Sequence, residues 1–141
     1  MPPSRVTQIM LRLYHSHLAA LQQVRARGEL LHRVSYEASG RVLDGMIAGG
    51  IMSGFGDEWI RLGATSEHTV DGSFSERTMA LSIPYPGIQP PYKGNITETQ
   101  DDLNQWIERV HRAGIQVNCH ANGDVAIEMV LTRRASSIEM R

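Results

Sequence analysis

Apolar residues recur at intervals of three to five positions over residues 4–27, a spacing that predicts an amphipathic helix ended by Gly28. Residues 30–38 combine branched and aromatic side chains between turn-forming residues and are predicted to form a strand. A second helix is predicted over residues 41–51, although its glycines weaken it. The apolar run at residues 59–64 predicts a second strand.

Residues 65–95 are predicted to form a long loop, because they hold four of the six prolines and cannot form a continuous helix. Thr97 and Gln100 then have the spacing of a capping box, which predicts the start of a third helix that Gly114 ends. Its apolar residues follow at helical spacing: Leu103, Trp106, Ile107 and Val110. Residues 115–119 alternate like a third strand, and a last helix is predicted from about Val125.

Helices alternate with strands along the chain, which predicts βαβ units and an α/β fold with a parallel sheet. In such sheets the functional side chains collect just beyond the carboxyl ends of the strands. Two polar clusters occupy such positions, one after each of the last two predicted strands. The first is Glu67, His68 and Asp71, and the second is His120, Asn122 and Asp124.

The composition is that of one soluble domain, with 41% hydrophobic residues, 21% charged residues and a formal net charge of −1. This balance gives no field for a polyanion, so we expect neither nucleic acid nor a membrane surface as a partner. No stretch approaches a membrane span and the first residues lack the core of a signal peptide, so the cytoplasm is the expected location. The single cysteine, Cys119, excludes an internal disulfide.

His15 and His17 form a His-x-His pair of the kind that binds metal in many hydrolases. On the helix predicted for residues 4–27, however, side chains two residues apart point in directions about 200° apart. They cannot share one cation there, and we interpret them as surface or groove histidines.

His120 is the strongest single candidate for chemistry, because it ends an apolar strand and a turn with an acidic residue follows it. A neutral imidazole there can bind a divalent cation, while Asp124 orients it or handles a proton. A structural histidine at a strand end is the alternative. Glu67 and Asp71 offer carboxylates at the other strand end, where a solvated loop with an N-capping aspartate is the alternative.

Two motifs, at residues 71–81 and 117–124, carry a family resemblance. They read Asp-Gly-Ser-Phe-Ser-Glu-Arg-Thr-Met-Ala-Leu and Val-Asn-Cys-His-Ala-Asn-Gly-Asp, with a long loop containing proline and tyrosine and a helix between them. In sequence and order they resemble the metal-dependent amidohydrolase superfamily, and within it the amidohydrolase-3 branch that includes N-substituted formamide deformylase. The resemblance extends over about residues 25–131.

The resemblance implies a (β/α)₈ barrel, or TIM barrel, with one or two divalent metal ions at its carboxyl face, zinc being the expected ion. It implies that His120 is a metal ligand. Glu67 stands where the family commonly has a carboxylated lysine that bridges two metals. A carboxylate can bridge two cations in the same way, so Glu67 is the second expected ligand.

The remaining motif positions imply roles around these ligands. Asp71, Ser73 and Arg77 match positions with expected roles in loop ordering and substrate contact, and we predict that all three bind substrate. Asp124 matches a position expected to support His120, and we predict a catalytic role for it.

The expected function is hydrolysis of carbon–nitrogen bonds in amides or formamides through a metal-activated water, with a small-molecule amide as partner. The chain offers about three strands of a barrel's eight, so residues 1–141 are interpreted as a single incomplete barrel fragment. Residues 65–95 would be a long loop on its active-site side. The alternative is a catalytically inactive fragment with a structural or assembly role. Exposed strand edges lead us to expect self-association.

Overall fold

The computed structural model describes residues 6–9 and 15–138. Contacts within the chain divide it into two compact units. The first comprises Met1–Ser66 and Val110–Asn118, and the second comprises Glu67–Arg109 and Cys119–Arg141. No helix in these described stretches is long and apolar enough to cross a membrane.

The first unit is built on three parallel strands in the order β1–β2–β3. They are β1 (Val6–Ile9), β2 (Arg33–Ala38) and β3 (Ile60–Thr65). Two helices connect them, α1 (His15–Ala26) and α2 (Gly40–Ala48). The parallel strands with connecting helices that the sequence predicted are therefore confirmed.

The prediction of one helix over residues 4–27 is wrong in its first part, which forms strand β1. Val6 and Ile9 are branched residues suited to a strand, and the four residues of β1 pair in parallel with residues 33–36 of β2. Backbone pairing with a neighbouring strand overrides a local apolar periodicity. Helix α1 occupies the later part of the predicted helix and includes both His15 and His17.

Side chains from β2 and β3 form the core of the first unit. Val34, Tyr36, Leu62 and Ala64 are all buried there. Helix α2 ends at Ala48, three residues before its predicted end, because Gly49 is its C-cap and the next residue, a glycine, has a left-handed φ. Strand β3 is shifted by one residue from its predicted bounds.

The second unit packs two helices against a short parallel pair of strands, β4 (His68–Thr69) and β5 (Cys119–His120). The helices are α3 (Gln100–Arg112), whose residues from Val110 onward are assigned to the first unit, and α4 (Asp124–Ile138). Val70, Leu103 and Ala126 form the fully buried core. Partly buried residues surround them: Ile107, Cys119, Ala121, Met129 and Val130.

The two strands of the second unit present different side chains on their two faces, because successive residues of a strand point to opposite sides. The register pairs His68 with Cys119 and Thr69 with His120. Cys119 packs into the apolar core, so His68 lies on the core face with it. Glu67 and His120 lie on the opposite face. Cys119 and His120 therefore face opposite sides of β5.

Helix α3 is capped two residues later than predicted. The hydroxyl of Thr99 accepts a hydrogen bond from the backbone N–H of Asp102 at 3.2 Å and donates to the Asp102 carboxylate at 2.7 Å. The hydroxyl of Thr97 donates instead to the carbonyl of Thr69 at 2.6 Å. The expected cap residue thus ties the segment before the helix to β4.

Residues 65–95 begin with the last residue of β3 and contain strand β4, which the sequence did not predict. The segment holds no other helix or strand. The segment nevertheless folds back on itself. Leu81 N–H donates to the Lys93 carbonyl at 2.8 Å, and Tyr85 N–H donates to the Tyr92 carbonyl at 2.8 Å. The two tyrosine rings stack with centroids 6.0 Å apart. The predicted loop is therefore an ordered, hydrogen-bonded one.

Candidate metal site

Glu67 and His120, the two predicted metal ligands, lie side by side in the second unit. Nδ1 of His120 is 3.0 Å from Oε1 of Glu67. Parallel pairing of β4 with β5 explains the contact, because it sets Thr69 beside His120 and leaves Glu67, two residues earlier, on the same face. The imidazole is 24% exposed and the carboxylate side chain 40%, so the pair is accessible from solvent.

The other ring nitrogen of His120 faces the backbone of the Asp-Gly-Ser motif. Nε2 lies 3.0 Å from the carbonyl oxygen of Gly72, and Nδ2 of Asn122 donates to the same carbonyl at 3.0 Å. A carbonyl and a carboxylate only accept, so His120 donates to both when both of its ring nitrogens carry protons, and Nε2 also lies 2.9 Å from Nδ2 of Asn122. The bond to Gly72, and after it the bond to Glu67, raise the pKa of His120 above its ordinary value.

Asp71 is fully buried between the two motifs. Its Oδ2 accepts backbone N–H bonds from Ala80 at 2.9 Å and from Gly123 at 2.7 Å, and its Oδ1 accepts one from Asn122 at 2.9 Å. These contacts order the loops around His120, which is one of the roles that the resemblance implied. They give no support to the predicted contact with substrate, because both oxygens are engaged and shielded.

The glycines of the two motifs stand where segments approach too closely for a side chain. A Cβ on Gly123 would overlap the backbone of Ala80, and a Cβ on Gly72 would overlap the side chain of Thr78. Neither position requires a left-handed φ. The close approach itself explains why each motif carries a glycine.

Ser73 and Arg77, both predicted to contact substrate, lie on the turn that follows Gly72. The Ser73 hydroxyl accepts a hydrogen bond from the backbone N–H of Glu76 at 3.4 Å. The backbone N–H of Ser73 donates to Thr78 Oγ1 at 3.0 Å. Arg77 is exposed and has a φ of 55°, a left-handed conformation that is uncommon for a residue with a side chain. Its guanidinium forms no hydrogen bond or ion pair with any residue that the structure describes.

Asp124, the predicted catalytic residue, is the first residue of α4. Its carboxylate accepts the hydroxyl of Ser82 and also the Ser82 backbone N–H at 3.0 Å. These two bonds, in that order, hold the pKa of Asp124 below its ordinary value. The carboxylate therefore fastens the Ser82 segment to α4, and it forms no hydrogen bond with His120. Its catalytic role stays a prediction.

The core face of β4 and β5 carries a polar group that sequence reasoning missed. Nε2 of His68 is 2.6 Å from Oε1 of Glu98, and the His68 ring stacks on Trp106 with centroids 3.8 Å apart. Burial, and after it the charge of Glu98, raise the pKa of the Cys119 thiol to about 11. A thiol this hard to ionise is a poor nucleophile. Nothing in the sequence pairs His68 with Glu98.

The chemistry and spacing of Glu67 and His120 fit a divalent cation. Two ligand atoms on a tetrahedral zinc lie about 3.4 Å apart, close to the 3.0 Å between Nδ1 and Oε1. A metal-binding histidine usually donates its other N–H to an acceptor such as the Gly72 carbonyl. Among the described residues no group of three or more His, Cys, Asp and Glu side chains is placed to hold a metal. Catalytic zinc normally takes three protein ligands, so these two form part of a site.

Comparison with known families decides what this arrangement is related to. The chain matches the sequence model of the amidohydrolase family, Amidohydro_3, over residues 6–137. The chain belongs to the amidohydrolase family. No curated protein matches this amidohydrolase chain significantly.

Two solved structures resemble the amidohydrolase chain. An uncharacterized metal-dependent hydrolase from Pyrococcus furiosus is 29% identical with a TM-score of 0.73, over 85% of this chain and 25% of that one. An uncharacterized metal-dependent hydrolase from Pyrococcus horikoshii OT3 is 26% identical with a TM-score of 0.78, over 92% of this chain and 26% of that one. The chain thus spans about a quarter of the length of either structure.

These comparisons confirm the family resemblance and the α/β fold of part of a barrel that the sequence predicted. The formamide deformylase branch, zinc as the ion and the cytoplasmic location stay predictions. So do the roles of His120, Glu67, Ser73 and Arg77 in this amidohydrolase chain.

Proposed function

We propose that this chain supplies part of the active site of a metal-dependent hydrolase that cleaves carbon–nitrogen bonds in small amides or formamides. The observation that carries the proposal is the contact of 3.0 Å between Glu67 and His120, two side chains whose chemistry suits a divalent cation. Membership of the amidohydrolase family and similarity to two metal-dependent hydrolases support it.

In this proposal His120 binds the ion through Nδ1, while its Nε2–H donates to the Gly72 carbonyl. Glu67 binds through its carboxylate at the position where the family commonly has a carboxylated lysine. Bound zinc or a similar ion supplies Lewis acidity, which polarises an amide carbonyl and lowers the pKa of water toward about 7.

The two loops around His120 would recognise the substrate. Arg77 is the main candidate, because its exposed guanidinium is free to donate to an oxygen of the substrate. Ser73 lies on the same turn and would add a hydroxyl contact. Asp124 would act in support, since a carboxylate with a lowered pKa is a weak proton acceptor and is already bonded to Ser82.

A complete centre needs more ligands than the pair in the described residues. We propose that further ligands come from protein outside these residues, such as the other parts of a barrel or a second copy of the chain joined through its strand edges. A catalytically inactive structural module is the competing function, and the count of two ligands favours it.

The deciding measurement is the metal content of protein purified without chelator or affinity nickel, by plasma mass spectrometry. We expect near-stoichiometric zinc or a similar divalent ion, strongly reduced in His120→Ala and in Glu67→Gln. His111→Ala is the matched control, because His111 is an exposed histidine of α3. Metal-free wild-type protein, or undiminished metal in His120→Ala, would refute the ligand assignment and favour the inactive module.

A further inference from the structure

His68 and its partners form a half-buried polar group in the described part of the second unit that the proposed function does not use. The imidazole bonds to Glu98 at 2.6 Å and stacks on Trp106 at an interplanar angle of 17°. The His68 and Glu98 side chains are only 25% and 16% exposed. A polar pair on an otherwise apolar face costs desolvation energy, so its presence calls for a reason beyond packing.

Glu67, the residue before His68, forms few interactions that fix the position of its carboxylate. Within the described residues its carboxylate hydrogen-bonds only to the His120 ring. The strand that follows, β4, is just two residues long and so has few ladder hydrogen bonds to fix its backbone. A metal ligand on such a segment needs support from elsewhere, because a site loosened by about 1 Å loses much of its function.

The contacts of His68 supply that support from behind the site. Successive side chains of a strand point to opposite faces, so holding the His68 ring fixes the backbone from which Glu67 projects toward His120. Glu98 accepts a hydrogen bond from Nε2 of His68, and the Trp106 ring stacks on the face of the imidazole. The hydroxyl of Thr97, next to Glu98, donates to the carbonyl of Thr69 and so holds β4 against the segment that precedes α3.

We propose that His68, held by Glu98 and Trp106, is a positioning residue that aims the Glu67 carboxylate at Nδ1 of His120. The proposal rests on the proposed function, since it assigns His68 a part in holding the metal without contact to the ion. His68 lies on one face of the β4–β5 pair, and the two ligands, Glu67 and His120, lie on the other.

The test compares cobalt(II) affinity, measured by titration of its absorption spectrum, in three variants. His68→Phe keeps an aromatic ring to stack on Trp106 and removes the bond to Glu98. Glu98→Gln keeps an acceptor for that bond. Ile107→Val is the matched control, because it loosens the packing of α3 on the same core without touching the polar pair.

We expect His68→Phe to weaken cobalt affinity at least about tenfold, the usual effect of removing support from a metal ligand. Its spectrum should also change, because the geometry of the carboxylate ligand changes. Glu98→Gln and Ile107→Val should bind cobalt nearly as the wild type does. Wild-type affinity in His68→Phe, or an equal loss in Ile107→Val, would overturn the proposal.

A second readout, on metal-free protein, separates this proposal from the proposed function. Diethyl pyrocarbonate modifies free imidazole nitrogens, and peptide mass spectrometry follows His120 alone. If His68 positions Glu67, His120 is modified faster in His68→Phe than in the wild type or Ile107→Val. Failure of the wild type to bind cobalt refutes the proposed function, whereas unchanged modification of His120 in His68→Phe refutes the positioning role.

Discussion

A single buried carboxylate joins the two motifs on which the family resemblance depends. Asp71 accepts three backbone N–H bonds, from Ala80, Asn122 and Gly123, and is fully shielded from solvent. Hydrogen bonds to a charged group are stronger than those between neutral groups, and donors left unsatisfied in the interior carry a large penalty. At the scale of the residue, Asp71 therefore has a larger part in stability than any exposed acidic residue of the motifs.

We predict that Asp71→Ala lowers the free energy of unfolding by at least about 3 kcal/mol, because two buried donors and a partly buried one lose their acceptor. Denaturation in urea measures the loss. Asp57→Ala is the matched control, since Asp57 also accepts backbone N–H bonds, from Trp59 and Ile60, but on the surface. A much smaller loss is expected there. Equal losses in the two variants would contradict the role given to Asp71.

The raised pKa of Cys119 predicts slow alkylation of the native protein. The thiolate is the reactive form, and a thiol with a pKa of about 11 is ionised at pH 8 at least about 100-fold less than an ordinary cysteine. Iodoacetamide labelling followed by intact mass should therefore be that much slower than in guanidinium, and should accelerate as pH rises toward 11. Rapid labelling of folded protein at pH 8 would show that the thiol is not buried as described.

The sequence puts Glu67 and His120 in two polar clusters at strand ends, and the family resemblance identifies both as ligands, which the structure brings to 3.0 Å from each other. It could not identify the contact of His68 with Glu98, which lie 30 residues apart without any shared spacing. It also suggested a substrate contact for Asp71, because an acidic residue in a motif looks the same whether it is exposed or buried. Burial depends on the folded structure, so the residue type at one sequence position does not reveal it.

At the scale of elements, helices with strong periodicity were predictable and short strands were not. Helix α3 and strand β3 lie within a few residues of their predicted bounds. Strands β1 and β4 have four and two residues, so their hydrophobic pattern is too short to show a period of two. Each depends on a neighbouring strand distant in sequence, which a local pattern does not encode.

The close approach of two loops beside His120 leads to a prediction at this scale. Gly123→Ala places a Cβ against the backbone of Ala80, which cannot move aside as a side chain could. We expect a loss of about 2 kcal/mol in the free energy of unfolding, from strain and from displaced bonds to Asp71. Thermal and urea denaturation measure it.

Gly45→Ala is the control for that substitution, because Gly45 lies inside α2 with nothing near its would-be Cβ. Alanine in a helix interior stabilises by about 0.5 to 1 kcal/mol relative to glycine. The two substitutions should therefore shift stability in opposite directions. A neutral Gly123→Ala would mean that the loops separate freely, and the ordering of His120 through Gly72 and Asp71 would lose its basis.

At the scale of the whole molecule, the chain covers about a quarter of the two structures it resembles. Its described strands form one sheet of three and one of two. In the sheet of three, β1 is an end strand with a single neighbour in the sheet, whereas backbone bonds with Gly54, Asp57 and Gln116 cover much of the other edge, at β3. A closed barrel removes such edges, and an open set of parallel strands leaves backbone N–H and carbonyl groups to pair with another chain. The protein on its own is therefore expected to associate with itself.

We predict that sedimentation velocity of the isolated chain shows a concentration-dependent oligomer. Alternate residues of a strand direct their N–H groups to opposite sides. Of Thr7→Pro and Gln8→Pro, one therefore removes an N–H bonded to β2, and the other removes an N–H on the far side of β1, which ends the described sheet. The proline that removes the N–H on the far side of β1 should dissociate the oligomer and leave the monomer folded. The proline that removes the N–H bonded to β2 should lower the free energy of unfolding. A wild-type monomer that melts cooperatively at every concentration would show that its edges are already protected, and self-association through them would be refuted.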